Sequence, residues 1–142
     1  MRQNMSGWSQ AECDELKKAG IADEILYYHR ALGKEEKYTA HVFIAQYASP
    51  EQLKQNWERL NDNIALLYQS NVDSLLERSN FYLCFFLPKS MNTIEKEKIE
   101  NDAYCAKKYI FVSEKELSVE EKIQRVNEKI FELTYLESQD TS

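Results

Sequence analysis

The chain has 142 residues, of which 43% are hydrophobic and 30% charged, and its formal net charge is −6. This length and composition are typical of one soluble globular domain, and the acidic balance argues against a non-specific DNA-binding protein, which needs a basic face. The odd number of cysteines without a CxxC pair, and the lack of a segment apolar enough for a signal peptide or a membrane span, predict a cytoplasmic protein with reduced thiols.

Two short helices are predicted in the N-terminal part of the chain. Ser9 and Glu12 have the spacing of a capping box, and Trp8 with Cys13 has the spacing of a hydrophobic staple across it. A first helix is therefore expected to begin there and to run to about Ala19. The stretch that follows, ADEILYYHRAL, is interpreted as a second helix that a glycine ends.

Three strands are predicted in the remainder of the chain. The segments KYTAHVFIAQY, NFYLCFFLP and KKYIFV are rich in the β-branched and aromatic residues that favour strands. The middle segment has apolar residues on both of its faces, so we expect it to be a central strand that is covered on two sides. Helices connect the strands, and this favours parallel neighbours with right-handed crossovers.

The predicted helices between and after these strands are marked by caps and apolar stripes. Three capping patterns precede helical segments: Ser49-Pro50-Glu51-Gln52, Asn92 with Glu95, and Ser118 with Glu121. A turn with a short helix is expected in SNVDSLLERS. The two long helices carry apolar residues at steps of three and four, namely Leu53, Trp57, Leu60, Ile64 and Leu67 in one and Val119, Ile123, Val126, Ile130 and Leu133 in the other.

These elements predict an α/β (or α+β) fold with a small three-stranded sheet, largely parallel or mixed. The two long amphipathic helices are expected on one face of the sheet, and the N-terminal helices at the other face or edge. Residues 1–136 form a single domain in this interpretation, with a helical N-terminal part at 1–36 and a β-α-β-α-β-α core at 37–136. Residues 137–142 are expected to be a disordered tail.

One segment, IENDAYCAKKYIF, has residue types that a metal-dependent nuclease also uses. It places Glu100 and Asp102 shortly before Lys107 and Lys108, and in such a nuclease carboxylates hold Mg²⁺ while a lysine steadies the phosphate. That chemistry needs an acid and a lysine two residues apart on a strand, and this spacing is missing here. A minimal Mg²⁺-dependent nuclease is therefore the least favoured interpretation, and we expect the segment to be architectural, at a surface used by partners.

No other catalytic centre is predicted. The two histidines and three cysteines lack the local spacing of a zinc site, and the sequence, with its three glycines, contains no glycine-rich phosphate-binding motif. His41 lies in the middle of a predicted strand, where a satisfied, half-buried imidazole is more common than a catalytic base. The sequence therefore predicts no catalytic residue, no cofactor site and no metal ligand.

The same segment carries the candidate contact residues. Asp102, Tyr104, Lys107, Lys108 and Tyr109 form a small basic and aromatic group that could touch a partner protein or a nucleic acid. Lysines at the start of a strand also serve as gatekeepers that prevent aggregation at a sheet edge. Both interpretations remain open at the level of sequence.

The succession of HVFIAQY, NWERLNDNIALLYQ, NFYLCFFLP and IENDAYCAKKYIF resembles the middle component of bacterial ABC three-component defence systems, a class that includes the small subunit of Lamassu-type systems. The likeness covers roughly residues 37–135. The family has an acidic residue, an aromatic residue, small residues and one or two basic residues before its last strand, and the matching positions here are Asp102, Tyr104, Cys105, Ala106, Lys107 and Lys108.

This resemblance implies a noncatalytic adaptor subunit. It implies a partner that is an SMC-like ABC ATPase and a second partner that is an effector, often a nuclease, so that ATP hydrolysis and DNA cleavage belong to the partners. DNA would then be reached through the complex rather than by this chain alone. The alternative is a small DNA-binding module that uses the region of Lys107 and Lys108.

Overall fold

The computed structural model describes residues 7–33 and 35–131, which are built around one five-stranded sheet. In chain order the strands are β1 (Ser9–Ala11), β2 (Glu24–Leu32), β3 (Tyr38–Gln46), β4 (Phe81–Leu87) and β5 (Lys107–Val112). They lie in the sheet in the same order. β1, β2 and β3 are antiparallel neighbours, whereas β3, β4 and β5 are parallel. The predicted mixed class is confirmed, but the sheet has five strands and not three.

Five α-helices connect or flank these strands. They are α1 (Asp14–Lys18), α2 (Pro50–Leu67), α3 (Leu75–Arg78), α4 (Thr93–Glu100) and α5 (Val119–Val126), and α5 continues as a π-helical turn, Asn127–Phe131. The predicted caps are confirmed in α2, α4 and α5. The Ser49 hydroxyl accepts from the Gln52 N–H, Asn92 accepts from two N–H groups, and Ser118 with Glu121 forms a complete capping box.

The prediction of a helix over ADEILYYHRAL is wrong, because Glu24–Leu32 forms β2. Its side chains alternate between two buried layers, with Ile25 and Tyr27 in one apolar cluster and Leu26 and Tyr28 in the other. A short run that is apolar on both sides fits a buried helix and a buried strand equally well. Pairing with β3 along all nine residues decides the outcome, because it satisfies the backbone groups on the facing edges of both strands.

The predicted capping box at Ser9 and Glu12 is also wrong. Ser9 lies in β1, which pairs with β2, and α1 begins only at Asp14, whose N–H donates to Glu12 Oε1 at 2.9 Å. Trp8 and Cys13 do not form a staple, because they are buried in different apolar clusters. The local spacing of a cap is therefore overridden by strand pairing.

Helices cover both faces of the sheet. α1, α2 and α4 pack on one face, where they contribute Leu16, Leu53, Trp57, Leu60, Ile64 and Ile99 to the larger apolar cluster. α5 and the turn after it pack on the opposite face through Ile123, Val126 and Ile130. The prediction that both long helices share one face, with the N-terminal helices elsewhere, is wrong. An apolar stripe identifies the buried side of a helix but not the face of the sheet that it covers.

The middle predicted strand, β4, lies between β3 and β5, and all seven of its residues are buried, so the prediction of a strand covered on two sides is confirmed. Within residues 7–33 and 35–131, no helix is long and apolar enough to cross a membrane. Leu133 and the predicted tail at 137–142 lie outside the described residues.

Candidate interaction site

The sequence-predicted contact residues lie where the chain passes from α4 into β5. Residues 101–106 form a loop that we call the β5 loop, and it returns the chain to the sheet beside the start of β4. This is the amino-terminal end of the parallel strands. Helix α2 contacts the β5 loop through Asn61, and α3 lies across an open groove from it.

Lys108 holds the β5 loop from inside the protein. Its side chain is 0% exposed, and its Nζ donates to Asp102 Oδ1 (2.6 Å), the Asp102 carbonyl (3.1 Å) and the Tyr104 carbonyl (2.6 Å). The same ammonium lies 6.0 Å from the centroid of the Trp57 ring. A buried charge is tolerated when it is paired and hydrogen-bonded in this way. Lys108 is therefore a structural cation whose three donors are used within the chain.

Asn61 gives the β5 loop a second support. This buried side chain donates from Nδ2 to the Tyr104 carbonyl at 2.9 Å and accepts at Oδ1 from the Ala106 N–H at 3.4 Å. Between these two contacts Cys105 has φ +63°, a left-handed conformation that is unfavourable for a residue other than glycine. Such a conformation persists when its surroundings over-determine it, as Asn61 and Lys108 do here, and it is enriched at functional sites.

Asp102 is the partner that keeps the Lys108 charge neutralised. Its carboxylate accepts from Lys108 and from the Tyr104 N–H at 3.0 Å, and its side chain is 33% exposed. Burial alone would raise the pKa of Asp102, but the hydrogen bonds from Lys108 and Tyr104, together with the Lys108 charge, hold it below the ordinary value of 3.8. Asp102 is thus ionised at neutral pH, and its carboxylate is bound to groups within the chain.

Three other predicted residues face outward to different degrees. Tyr104 is 58% exposed, at the tip of the β5 loop. Lys107 is exposed, and its Nζ lies 5.4 Å from the centroid of the Tyr82 ring. Tyr109 is half-buried and stacks on the same ring at 6.5 Å between centroids. The five predicted residues therefore divide into an internal pair, Asp102 with Lys108, and an outer set, and their role as contacts stays a prediction.

An open groove of about 660 Å³ separates α3 from the β5 loop, and we call it the α3 groove. Leu75 and Arg78 line it from α3, and Cys105 and Lys107 line it from the other side. Leu75 is 80% exposed. The α3 residues are not among the predicted contact residues, because a helix of four residues is too short to show a periodic pattern. The available signal was the pair of leucines directly after the Ser74 cap, followed by the polar residues of Glu77–Ser79.

A row of hydrogen bonds fixes α3 to the sheet. The Tyr27 hydroxyl donates to His41 Nδ1 at 2.7 Å, and His41 Nε2–H donates to Glu77 Oε2 at 2.7 Å, an assignment that follows from the partners. The His41 ring also stacks on Phe81 with centroids 4.3 Å apart. Burial lowers the pKa of His41, and Glu77 offsets only part of this effect, so the imidazole is neutral at pH 7. The prediction of a satisfied histidine is confirmed.

The carboxylates near the α3 groove are already used. Glu100 accepts from the Ile110 N–H at 2.8 Å and pairs with Lys96 at 3.0 Å, so it covers the outer edge of β5. In the part of the chain that the structure describes, no three histidine, cysteine, aspartate or glutamate side chains converge as metal ligands. Glu100 and Asp102 act there as hydrogen-bond acceptors for the backbone and for lysines.

The amino-acid sequence matches the model of one known protein family. The family described as "ABC-three component (ABC-3C) system Middle Component 1" matches residues 40–137, more than half of the chain. The matched range includes β3 from Ala40 onward, and all of β4, β5 and the β5 loop. No curated protein and no solved structure matches the chain. The chain belongs to the family of middle component 1 of ABC three-component systems.

Proposed function

We propose that this chain is a noncatalytic adaptor subunit of a bacterial anti-phage or anti-plasmid defence complex in the cytoplasm. In this proposal it binds an SMC-like ABC ATPase and couples it to an effector such as a nuclease, as in Lamassu-type systems. The observation that carries the proposal is the family match over residues 40–137, since a middle component belongs to a multi-part system.

The described part of the chain supports an adaptor in two ways. The polar side chains of the types that catalyse reactions are held by partners within the chain. Asp102 binds Lys108, and Glu100 binds Lys96 and the Ile110 N–H. His41 binds Tyr27 and Glu77. Large apolar side chains are nevertheless exposed, among them Leu75, Tyr104 and Leu66. Inward-facing polar groups with outward-facing apolar ones are the arrangement expected of a surface that binds other proteins.

Co-expression with the two neighbouring genes tests this function. The tagged chain is purified together with the ATPase and the effector, and the masses of the assemblies are measured. We expect a ternary complex, and we expect the ATPase and the effector to separate when this chain is omitted. If the chain emerges alone under gentle conditions while the other two assemble without it, the adaptor function is wrong.

A second measurement tests the noncatalytic part of the proposal. The purified chain, given Mg²⁺ with ATP or with duplex DNA, is expected to turn over neither, whereas the full complex supplies these activities. Turnover by the chain alone that disappears in Asp102→Asn or Glu100→Gln would instead support the nuclease alternative.

The alternative of a small DNA-binding module rests on the exposed cations Arg78 and Lys107 at the α3 groove. An electrophoretic shift by the chain alone, decreasing steeply with added salt and lost in Lys107→Glu, would favour it. A net charge of −6 argues for the adaptor, because the long-range field repels a polyanion.

A further inference from the structure

The α3 groove has an apolar component that faces solvent. Leu75 on its α3 wall is 80% exposed and the adjacent Leu76 is 36% exposed. On the β5 side Tyr104, between the lining residues Ala103 and Cys105, is 58% exposed. Apolar groups of this size grouped beside a concave surface mark binding sites, and tyrosine is enriched at the energetic centres of interfaces.

The same groove carries positive charge that the described residues do not neutralise. Arg78 and Lys107 both line it, and neither has a carboxylate within ion-pair distance in residues 7–33 and 35–131. Asp102 and Glu100 also line the groove, but their carboxylates are bound to Lys108 and Lys96. Two cations therefore face the groove in a chain whose net charge is negative, and their complement is an anionic occupant.

Both walls of the groove are held in place before any partner arrives. Lys108 and Asn61 fix the β5 loop, and the bond from His41 to Glu77 fixes α3. A preorganised site loses little conformational entropy on binding, so more of the contact energy appears as affinity. The left-handed Cys105 at the tip is consistent with a loop that is constrained to present Tyr104.

We propose that the α3 groove receives an acidic, leucine-bearing peptide segment of a partner subunit. Its carboxylates would pair with Arg78 and Lys107, and its apolar side chains would pack on Leu75 and Tyr104. This inference rests on the proposed adaptor function and adds to it the location and chemistry of one contact. A peptide fits better than DNA for two reasons. A phosphate backbone makes no favourable contact with the apolar wall, and tight binding of DNA needs a longer row of cations.

Charge reversal in the groove tests the electrostatic half of the proposal. Arg78→Glu with Lys107→Glu is expected to weaken binding of one partner subunit by about 30-fold or more, as hot-spot losses do. The matched control is Lys89→Glu with Lys98→Glu, which makes the same change of net charge at exposed lysines outside the groove. Binding is measured with the purified full-length chain and the separately purified subunits.

A second pair of variants tests the apolar contacts that the proposal assigns to the groove. Leu75→Asp is expected to weaken the same interaction, whereas Ile94→Asp, at a side chain that is 75% exposed on α4, should leave it unchanged. The thermal melting temperature of each variant is measured first, because both positions are exposed and neither change should unfold the chain. An equal loss in the groove and control variants would overturn the proposal.

A photo-reactive residue identifies the occupant directly. With p-benzoylphenylalanine in place of Tyr104, irradiation of the assembled complex is expected to cross-link a segment of the ATPase or effector that contains more aspartate and glutamate than lysine and arginine. A basic or uncharged segment, or cross-linking to duplex DNA instead of protein, would overturn the proposal.

Failure of this inference is distinguishable from failure of the adaptor function. If the wild-type chain joins the complex and the groove variants join it equally well, the groove is wrong while the function stands. If the wild-type chain joins no complex, both are wrong. If the groove variants alone lose a subunit, and Tyr104 cross-links to an acidic segment of that subunit, both are supported.

Discussion

Two buried lysines at different places in the fold have different structural roles. Lys108, at the start of β5, is 0% exposed and donates to three oxygens at 2.6 to 3.1 Å. Lys122, on α5 at the opposite face, has a side chain that is 6% exposed and one carboxylate contact, to Glu24 at 3.4 Å. Its ammonium also lies 5.6 Å from the centroid of the Phe86 ring.

The comparison shows that burial of a charge does not by itself define its role. The structural role of a buried lysine depends instead on how many oxygen acceptors would lose a donor if the ammonium were removed. Removing the Lys108 ammonium would take a donor from two carbonyls and a carboxylate in the β5 loop. Among the described residues, removing the Lys122 ammonium would take a hydrogen-bond donor from Glu24, whose side chain is 49% exposed and can be hydrated by water. We therefore expect the loss of the Lys108 ammonium to destabilise the protein more than the loss of the Lys122 ammonium.

The largest effect is expected for Lys108→Met. Methionine has a similar length but no donor, so the Asp102 carbonyl, the Asp102 carboxylate and the Tyr104 carbonyl each lose the bond from Lys108. The Tyr104 carbonyl keeps its bond from Asn61, and we expect the free energy of unfolding to fall by about 3 kcal/mol. Urea denaturation followed by tryptophan fluorescence measures it. Lys107→Met at the exposed neighbouring position is the control, with an expected change of less than about 0.5 kcal/mol. Similar values for the two lysines would mean that the internal pair does not stabilise the loop.

A somewhat smaller effect is expected for Asn61→Ala. It removes the second support of the β5 loop and leaves the buried Ala106 N–H without its acceptor, at a cost of about 2 kcal/mol. Asn63→Ala is the control, because Asn63 lies on the same helix and donates only to a carbonyl one turn back. Because Asn61 and Lys108 donate to the same Tyr104 carbonyl, their effects should be non-additive in a double-mutant cycle. Full additivity would contradict the shared role.

The strands and helices from residue 37 onward could be predicted because their signals are local. Ser49 with Pro50, and Ser118 with Glu121, are capping patterns that the structure reproduces. β2 could not be predicted, since its conformation depends on pairing with β3, which local pattern does not report. For the same reason, the apolar stripe of a helix could not predict which face of the sheet the helix covers.

The candidate site could be predicted only in part. The segment around Asp102 and Lys108 was identified from residue types alone, but the direction of each side chain was not. Lys108 points inward and Lys107 outward because successive residues of a strand alternate between faces, and the register of β5 against β4 fixes which is which. Leu75 and Arg78 join the site through tertiary structure, and no spacing in the sequence connects them to the β5 loop.

A much smaller loss of stability is expected for Lys122→Met than for Lys108→Met. The new side chain can pack on Phe86 through its sulfur, and Glu24 gains water in place of the ammonium. Replacing such a pair with an apolar side chain is often neutral, so we expect a change of about 0 to 1 kcal/mol in the free energy of unfolding. The same urea titration applies. A loss as large as that of Lys108→Met would show that burial, and not the number of acceptors, determines the cost.

The smallest effect is the pH dependence of stability that comes from Asp102. The pKa of Asp102 in the folded chain lies below its ordinary value of 3.8, chiefly because Lys108 and the Tyr104 N–H favour the carboxylate over the opposing effect of burial. The unfolded chain therefore binds the proton first as the pH falls. Asp102 contributes its full stabilisation above the ordinary pKa and loses it as the pH falls through the lower folded value.

The measurement is the difference in free energy of unfolding between the wild type and Asp102→Asn, from about pH 6 down to about pH 3. The amide still accepts a hydrogen bond but carries no charge, so the stability advantage of the wild type should shrink toward the acid end. In the Lys108→Met background the shrinkage should be weaker, because the cation that lowers the pKa is gone. An advantage that stays constant with pH in both backgrounds would mean that Asp102 supports the β5 loop through hydrogen bonds and not through its charge.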